Sequence, residues 1–144
     1  MSRYISSKNR LFVQSRANQC CEYCRMPELF SIIGFTIDHI ISIKHGGSND
    51  LSNLALACAF CNYFKGTDLG TILLPDQQLI RFFNPRGDKW DEHFQISEAL
   101  ILPKTDIGKT TVKIFQFNNV ERILERESLI NAGLFPPSSN LYLN

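Results

Sequence analysis

The chain has 144 residues, 44% of them hydrophobic, with 15 Lys and Arg against 14 Asp and Glu. A chain of this length makes one domain, or a small module with an appended piece, and it can bury a core. The near-balanced charge excludes any argument for a nucleic-acid partner from net charge alone, and no apolar run approaches the roughly 20 residues needed to span a bilayer.

The N-terminus lacks the apolar region of a signal peptide. A cytoplasmic protein with reduced thiols is therefore expected, and its five cysteines read as metal ligands before disulfides. Residues 1–30 are locally basic, with Arg3, Lys8, Arg10, Arg16 and Arg25 against Glu22 and Glu28.

In chain order, NRLFVQSRANQ (9–19) predicts a short helix, and FTIDHI (35–40) a strand by its β-branched content. IKHGGSND (43–50) is a loop rich in turn residues. AFCNYFK (59–65) suits a short helix that stops at Gly66. TILLP and QLIRFF predict two strands around a Pro75-Asp76 turn. FNPRGDKWDEHF reads as a polar loop with aromatics, in which His93 packs, and FQISEALIL as one strand. Residues 118–132 predict a helix with Asn118 as N-cap and Glu121 three residues on. Val120, Ile123, Leu124 and Ile130 would share its apolar face, and Gly133 with Pro136-Pro137 would end it.

Two CxxC pairs, Cys21/Cys24 and Cys58/Cys61, have the spacing of a four-thiolate structural zinc site. Such a site would tie the N-terminal segment to the helix carrying Cys61. Four buried apolar cysteines are the alternative, and Cys20 reads as a bystander. The 33 residues between Cys24 and Cys58 exceed the needs of a compact ribbon, so something is inserted between the knuckles.

The insertion contains TIDHIIS, an acid beside an imidazole in an apolar run. A lone buried charge costs several kcal/mol unless paired or metal-bound, and neighbours on a strand point to opposite faces. Asp38 and Asn62 carry hard oxygen donors suited to Mg²⁺, and a neutral His39 can take a proton from water. Together these are the parts for phosphodiester hydrolysis.

CEYC, IDHIISIKHGGSNDLSN and CAFCNYFKG, in this order over about residues 15–68, resemble the HNH nuclease family with two flanking CxxC knuckles. The resemblance implies an α+β fold: a zinc-stabilised ββα-metal (HNH, or His-Me finger) module at 1–68, followed by a C-terminal α+β extension at 69–144. It implies DNA as partner, His39 as general base, and Asp38 as ligand of a catalytic Mg²⁺ or Mn²⁺. Asn53 would brace the loop. Asn62, where the family often has histidine, would be the second metal ligand, and the helix bearing it would enter the minor groove.

Lys65 and His45 are candidate contacts to nucleic-acid phosphates, a solvated lysine and a turn histidine being the alternatives. Arg81, Arg86 and Lys89 are weaker candidates of the same kind. The sequence leaves open a second class, a zinc-stabilised DNA-binding or protein-interaction module without nuclease activity. Residues 71–144 carry eight basic and nine acidic side chains and no motif; positioning DNA, forming a homodimer and covering the zinc module are all open for them.

Overall fold

A computed structural model describes residues 4–138. Helix α1 (Ser7–Arg16) is capped by Ser6, whose hydroxyl accepts from Asn9 N–H. It ends before the expected residue 19 because Asn18 and Gln19 adopt positive φ as the chain turns into the first CxxC. The helix buries Val13, and Arg16 bonds the carbonyls of Leu51 and Leu54 at 3.0 and 2.7 Å. Those two bonds fix α1 to the start of the second strand.

Strands β1 (Thr36–His39) and β2 (Leu54–Ala57) pair antiparallel, with Asp38 opposite Ala55 and His39 opposite Leu54. All four β2 residues are buried. On its other side Glu22 stands in for a third strand: its N–H donates to Leu56 O, and its Oε2 accepts from Leu56 N–H at 2.8 Å. Helix α2 (Ala59–Lys65) follows directly and ends at Gly66, as expected. This is a ββα unit.

The Gly46-Gly47 pair lets the long β1–β2 loop fold tightly. Gly46 has φ +86°, and a Cβ on Gly47 would meet Ile41 O at 1.6 Å. Only glycine fits the first conformation comfortably and the second approach at all.

Beyond α2, β3 (Gly70–Leu73) and β4 (Gln78–Arg81) form the expected hairpin. The expected loop contains a single helical turn, α3 (Trp90–His93). FQISEALIL is a hairpin and not one strand: β5 (Phe94–Ser97) and β6 (Leu100–Pro103) turn at Glu98, which has φ +53°. Helix α4 (Asp106–Ile114) is an addition to the expected elements. Thr105 caps it, and Thr110 and Thr111 are buried with their hydroxyls bonded to backbone carbonyls, Thr111 also accepting from Phe83 N–H. The His93 ring packs edge-on to Phe83 and hydrogen-bonds Thr105.

Helix α5 (Val120–Asn131) departs from expectation twice. Its cap is Asn119, because the Asn118 amide exchanges hydrogen bonds with Ile101 across to β6. Its buried residues are Arg122 and Arg126, while Val120 and Leu124 are 71% and 58% exposed. The helix is turned so that its arginines, not that apolar set, face inward.

Among the described residues the larger of two cores joins the cysteine knuckles to the C-terminal half, while Ile5, Val13, Leu54 and Leu56 form a smaller one under α1. Cys21, Tyr23, Cys24, Cys58 and Cys61 share the larger core with Phe82, Phe83, Trp90, Phe94, Phe115 and Phe117. Trp90 Nε1 donates to the carbonyl of Tyr23 at 2.8 Å, inside the first CxxC. Among the described residues no helix is long and apolar enough to cross a membrane.

Candidate active site and metal centre

The four cysteines converge. Cys21, Cys24, Cys58 and Cys61 are buried, and their Sγ atoms all lie within 4.8 Å of one another, a group able to hold a metal ion. A tetrahedron with Zn–S arms of about 2.3 Å has edges of about 3.8 Å; the Cys24–Cys58 sulfurs are 3.7 Å apart. Cys24 N–H and Cys61 N–H point at the Sγ atoms of Cys21 and Cys58, at 3.5 and 3.4 Å. The donor set, its geometry and its dryness fit zinc. Cys20 lies outside the group, and burial pushes its thiol up to about 11.

The sulfurs have a cationic neighbour from the far end of the chain. Arg122 Nη2 lies 3.2 Å from Cys61 Sγ and 3.7 Å from Cys58 Sγ. Burial works against its charge, but the Cys61, Cys24 and Cys58 sulfurs more than offset this and hold the guanidinium above its ordinary value.

The first knuckle also supplies the nearest partner of Asp38. Tyr23, fully buried between the two ligand cysteines, donates its hydroxyl to Asp38 Oδ2 at 2.6 Å. Lys65, from the last turn of α2, lies 3.3 Å from Oδ1 and 3.2 Å from Oδ2, and donates to His39 O at 2.9 Å. Burial pushes the Asp38 carboxyl up from its ordinary value, while Lys65 and the Tyr23 hydrogen bond pull it down. The acid of TIDHIIS is therefore paired inside the fold. Lys65, a candidate phosphate contact from its position in the sequence, is buried against the acid instead.

His39 is half-buried on the other side of β1. Its Nε2 lies 2.7 Å from Asn49 Oδ1, and the Asn49 amide nitrogen donates to Tyr4 O at 3.3 Å. That second bond orients the amide so that its oxygen faces the ring. An amide oxygen only accepts, so the contact calls for a hydrogen on Nε2, and in the neutral ring that leaves the lone pair on Nδ1. Asn53 braces the loop with three bonds: it accepts from Ile41 N–H and donates to Ile41 O and Ser48 O, at 2.9, 2.9 and 2.8 Å.

Asp38, His39 and Asn62 line one cleft of about 190 Å³, together with Ser42, Lys44 and Thr67. The Asn62 side chain is half-buried there. A carboxylate offers about four lone-pair directions. Tyr23 and Lys65 take most of those on Asp38, so at most one carboxylate oxygen is left for a metal. One carboxylate oxygen and one amide oxygen suit Mg²⁺, which keeps several of its waters. His45 is exposed in the loop. Arg81 pairs with Asp88 through both carboxylate oxygens, and Arg86 with Glu22.

Three residues of this arrangement escape sequence reasoning. Tyr23 had its signal in its place between two ligands, and Asn49 in a loop already marked by Asn53. Arg122 had none, lying 61 residues beyond Cys61.

Residues 21–68 match the family model described as HNH endonuclease. No curated protein and no solved structure matches the chain.

Proposed function

We propose, from a chain whose residues 21–68 match the HNH endonuclease family model, that the protein is a metal-dependent endonuclease hydrolysing phosphodiester bonds of DNA. The observation that carries this reading is the shared cleft of Asp38, His39 and Asn62, with Asn49 Oδ1 against Nε2 of the imidazole so that Nδ1 is the nitrogen left to take a proton.

His39 Nδ1 takes the proton of the attacking water as its oxygen bonds to phosphorus. The bond from phosphorus to the 3′-oxygen breaks with its electron pair on that oxygen, which takes a proton from solvent water, leaving a 5′-phosphate and a 3′-hydroxyl. Asn49 holds the other ring nitrogen throughout, so the imidazole need not turn to become the base. Mg²⁺ or Mn²⁺ held by Asp38 and Asn62 would supply charge neutralisation at the phosphate and the leaving oxygen. Tyr23 and Lys65 fix the Asp38 carboxylate, and Lys65 also fixes the backbone of His39. Asn53 keeps the loop bearing Asn49 in register. Zinc on the four cysteines would keep Tyr23 and α2 in place.

Lys44, which lines the cleft, and the exposed loop residue His45 are the groups offered to phosphates. Binding then rests on the backbone, with weak sequence preference and a steep fall in affinity with salt.

The test is plasmid cleavage with Mg²⁺ or Mn²⁺ by the wild type and by His39→Ala. Loss of the base should cost about 10²–10⁴-fold in rate; equal cleavage by both proteins would remove His39 from the mechanism. The Lys65 ammonium close to both Asp38 oxygens favours one other reading, a zinc-stabilised DNA-binding module without turnover. Full DNA binding with no cleavage under any divalent metal would establish that alternative.

A further inference from the structure

The inward face of α5 carries two cations. Arg122 and Arg126 are four residues apart on one side of the helix, 3% and 1% exposed. Neither forms an ion pair with Asp or Glu among the described residues. Arg122 Nη1 donates to Phe115 O at 2.7 Å, and its guanidinium lies 5.4 and 5.5 Å from the Phe60 and Phe117 ring centres. Its Nη2 is directed at Cys61 Sγ and Cys58 Sγ, 3.2 and 3.7 Å away. Arg126 bonds the carbonyls of Ala99 and Phe117, while its Nη1 is buried without a partner. Burying two cations without an anion is strongly unfavourable. Arg122 is in contact with the sulfur cluster, and Glu125 on the same helix adds an acidic charge near both arginines.

We propose that Arg122 is the counter-charge of the four-cysteine metal centre, hydrogen-bonding two of its sulfurs, so that the C-terminal part of the chain completes a site whose ligands all lie in the first half. Four thiolates outweigh one divalent ion, so a loaded centre is anionic. Arg122 disperses that charge through Cys61 and Cys58, and Arg126 adds a second positive charge from one turn further along. The relation is reciprocal: whatever Arg122 adds to metal affinity, the metal adds to the docking of α5. The ββα unit and the segment beyond it are thereby coupled through the metal, in addition to their shared aromatic core.

The inference rests on the four cysteines holding metal, and purified full chain without bound zinc would end it at once. With zinc bound, the protein is equilibrated against a chromogenic chelator beside Arg122→Gln and Arg122→Lys. Zinc affinity should fall about 10–100-fold for Arg122→Gln, the usual cost of losing a group that supports metal ligands. Arg122→Lys should lose less, since it keeps the charge but not the planar fork. Unchanged affinity in a folded Arg122→Gln overturns the proposal.

If the glutamine variant does not fold, the lysine variant decides. Loaded with cobalt(II), it should show a sulfur-to-metal charge-transfer absorption shifted from the wild type, because the hydrogen bonds to Cys61 and Cys58 have changed. Superimposable spectra with equal affinity overturn the proposal. None of these measurements involves cleavage, so a chain inactive on DNA would end the nuclease reading and leave this one standing.

Discussion

The ammonium of Lys65 lies 3.2 Å from Asp38 Oδ2, and the two side chains are 3% and 5% exposed. The same nitrogen donates to His39 O at 2.9 Å. One lysine at the end of α2 thus ties down two consecutive residues of β1, the proposed ligand and the proposed base. Removing one member of a buried pair typically costs about 3–5 kcal/mol, because the other charge is left without a partner. Lys65→Met should therefore lower the unfolding free energy from urea titration by an amount of that order, and Asp38→Asn on the same background should recover part of it. Additive effects in this double-mutant cycle would mean that the two groups are not energetically coupled.

Asn49 is expected to set the tautomer of His39. Asn49→Leu should give a mixture of Nε2–H and Nδ1–H forms, read from the ¹⁵N shifts of the neutral ring. Cleavage should lose part of the about 10²–10⁴-fold that a positioned base contributes, with DNA binding little changed. A ring that keeps the wild-type tautomer in the variant would show that something other than Asn49 holds it.

Stripping metal from the cysteines should unfold the chain. Structural zinc contributes about 10–16 kcal/mol to folding in zinc-finger peptides, comparable with the about 5–15 kcal/mol of a whole domain's stability. With the aromatic core packed directly on the four sulfurs, circular dichroism in excess strong chelator should show loss of the cooperative melt. An unaltered transition would mean that the thiols pack without metal.

Acid should weaken the link between β4 and the loop before α3. Two hydrogen bonds from Arg81 hold the Asp88 carboxyl below its ordinary value, against the opposing effect of burial. A carboxyl with a lowered folded pKa contributes stability above its unfolded value of about 3.9, and that contribution is lost as pH falls through the folded value. Arg81 is 52% exposed, so the amount is that of a screened pair, about 0.2–1 kcal/mol. Asp88→Asn should melt earlier at neutral pH and show a flatter decline below about pH 4. An acid decline as steep as the wild type's would assign it to other carboxyls.

Local pattern carried much of the fold. Strand β1, helix α2 with its Gly66 stop and the β3–β4 hairpin follow from β-branched runs, a glycine and a Pro-Asp turn. The pattern was weak where local preference and tertiary use disagree. DIGKTTVKI is rich in β-branched residues yet forms α4, because its threonine hydroxyls find backbone partners and a Cβ on Gly108 would meet His93 O at 2.3 Å. FQISEALIL conceals a turn because Glu98 takes a positive φ with neither glycine nor asparagine to mark it. LALA could be assigned to β2 only through its pairing with β1.

By itself the sequence determined the chemistry available: four thiolates at knuckle spacing, an acid-histidine pair between them, and a glycine-asparagine loop to bring the pair's partners back. Those are short-range facts, set by residue type and spacing. Tertiary structure alone decided how each group is used. It turned Lys65 from the surface onto Asp38, aimed Tyr23 from the metal knuckle at the same carboxylate, and set Asn49 against Nε2 of His39. It also rotated α5 so that Arg122 meets sulfurs 61 and 64 residues away. The physical reason is the same throughout: a buried charge must find its partner, and that partner is set by packing in space and not by distance along the chain.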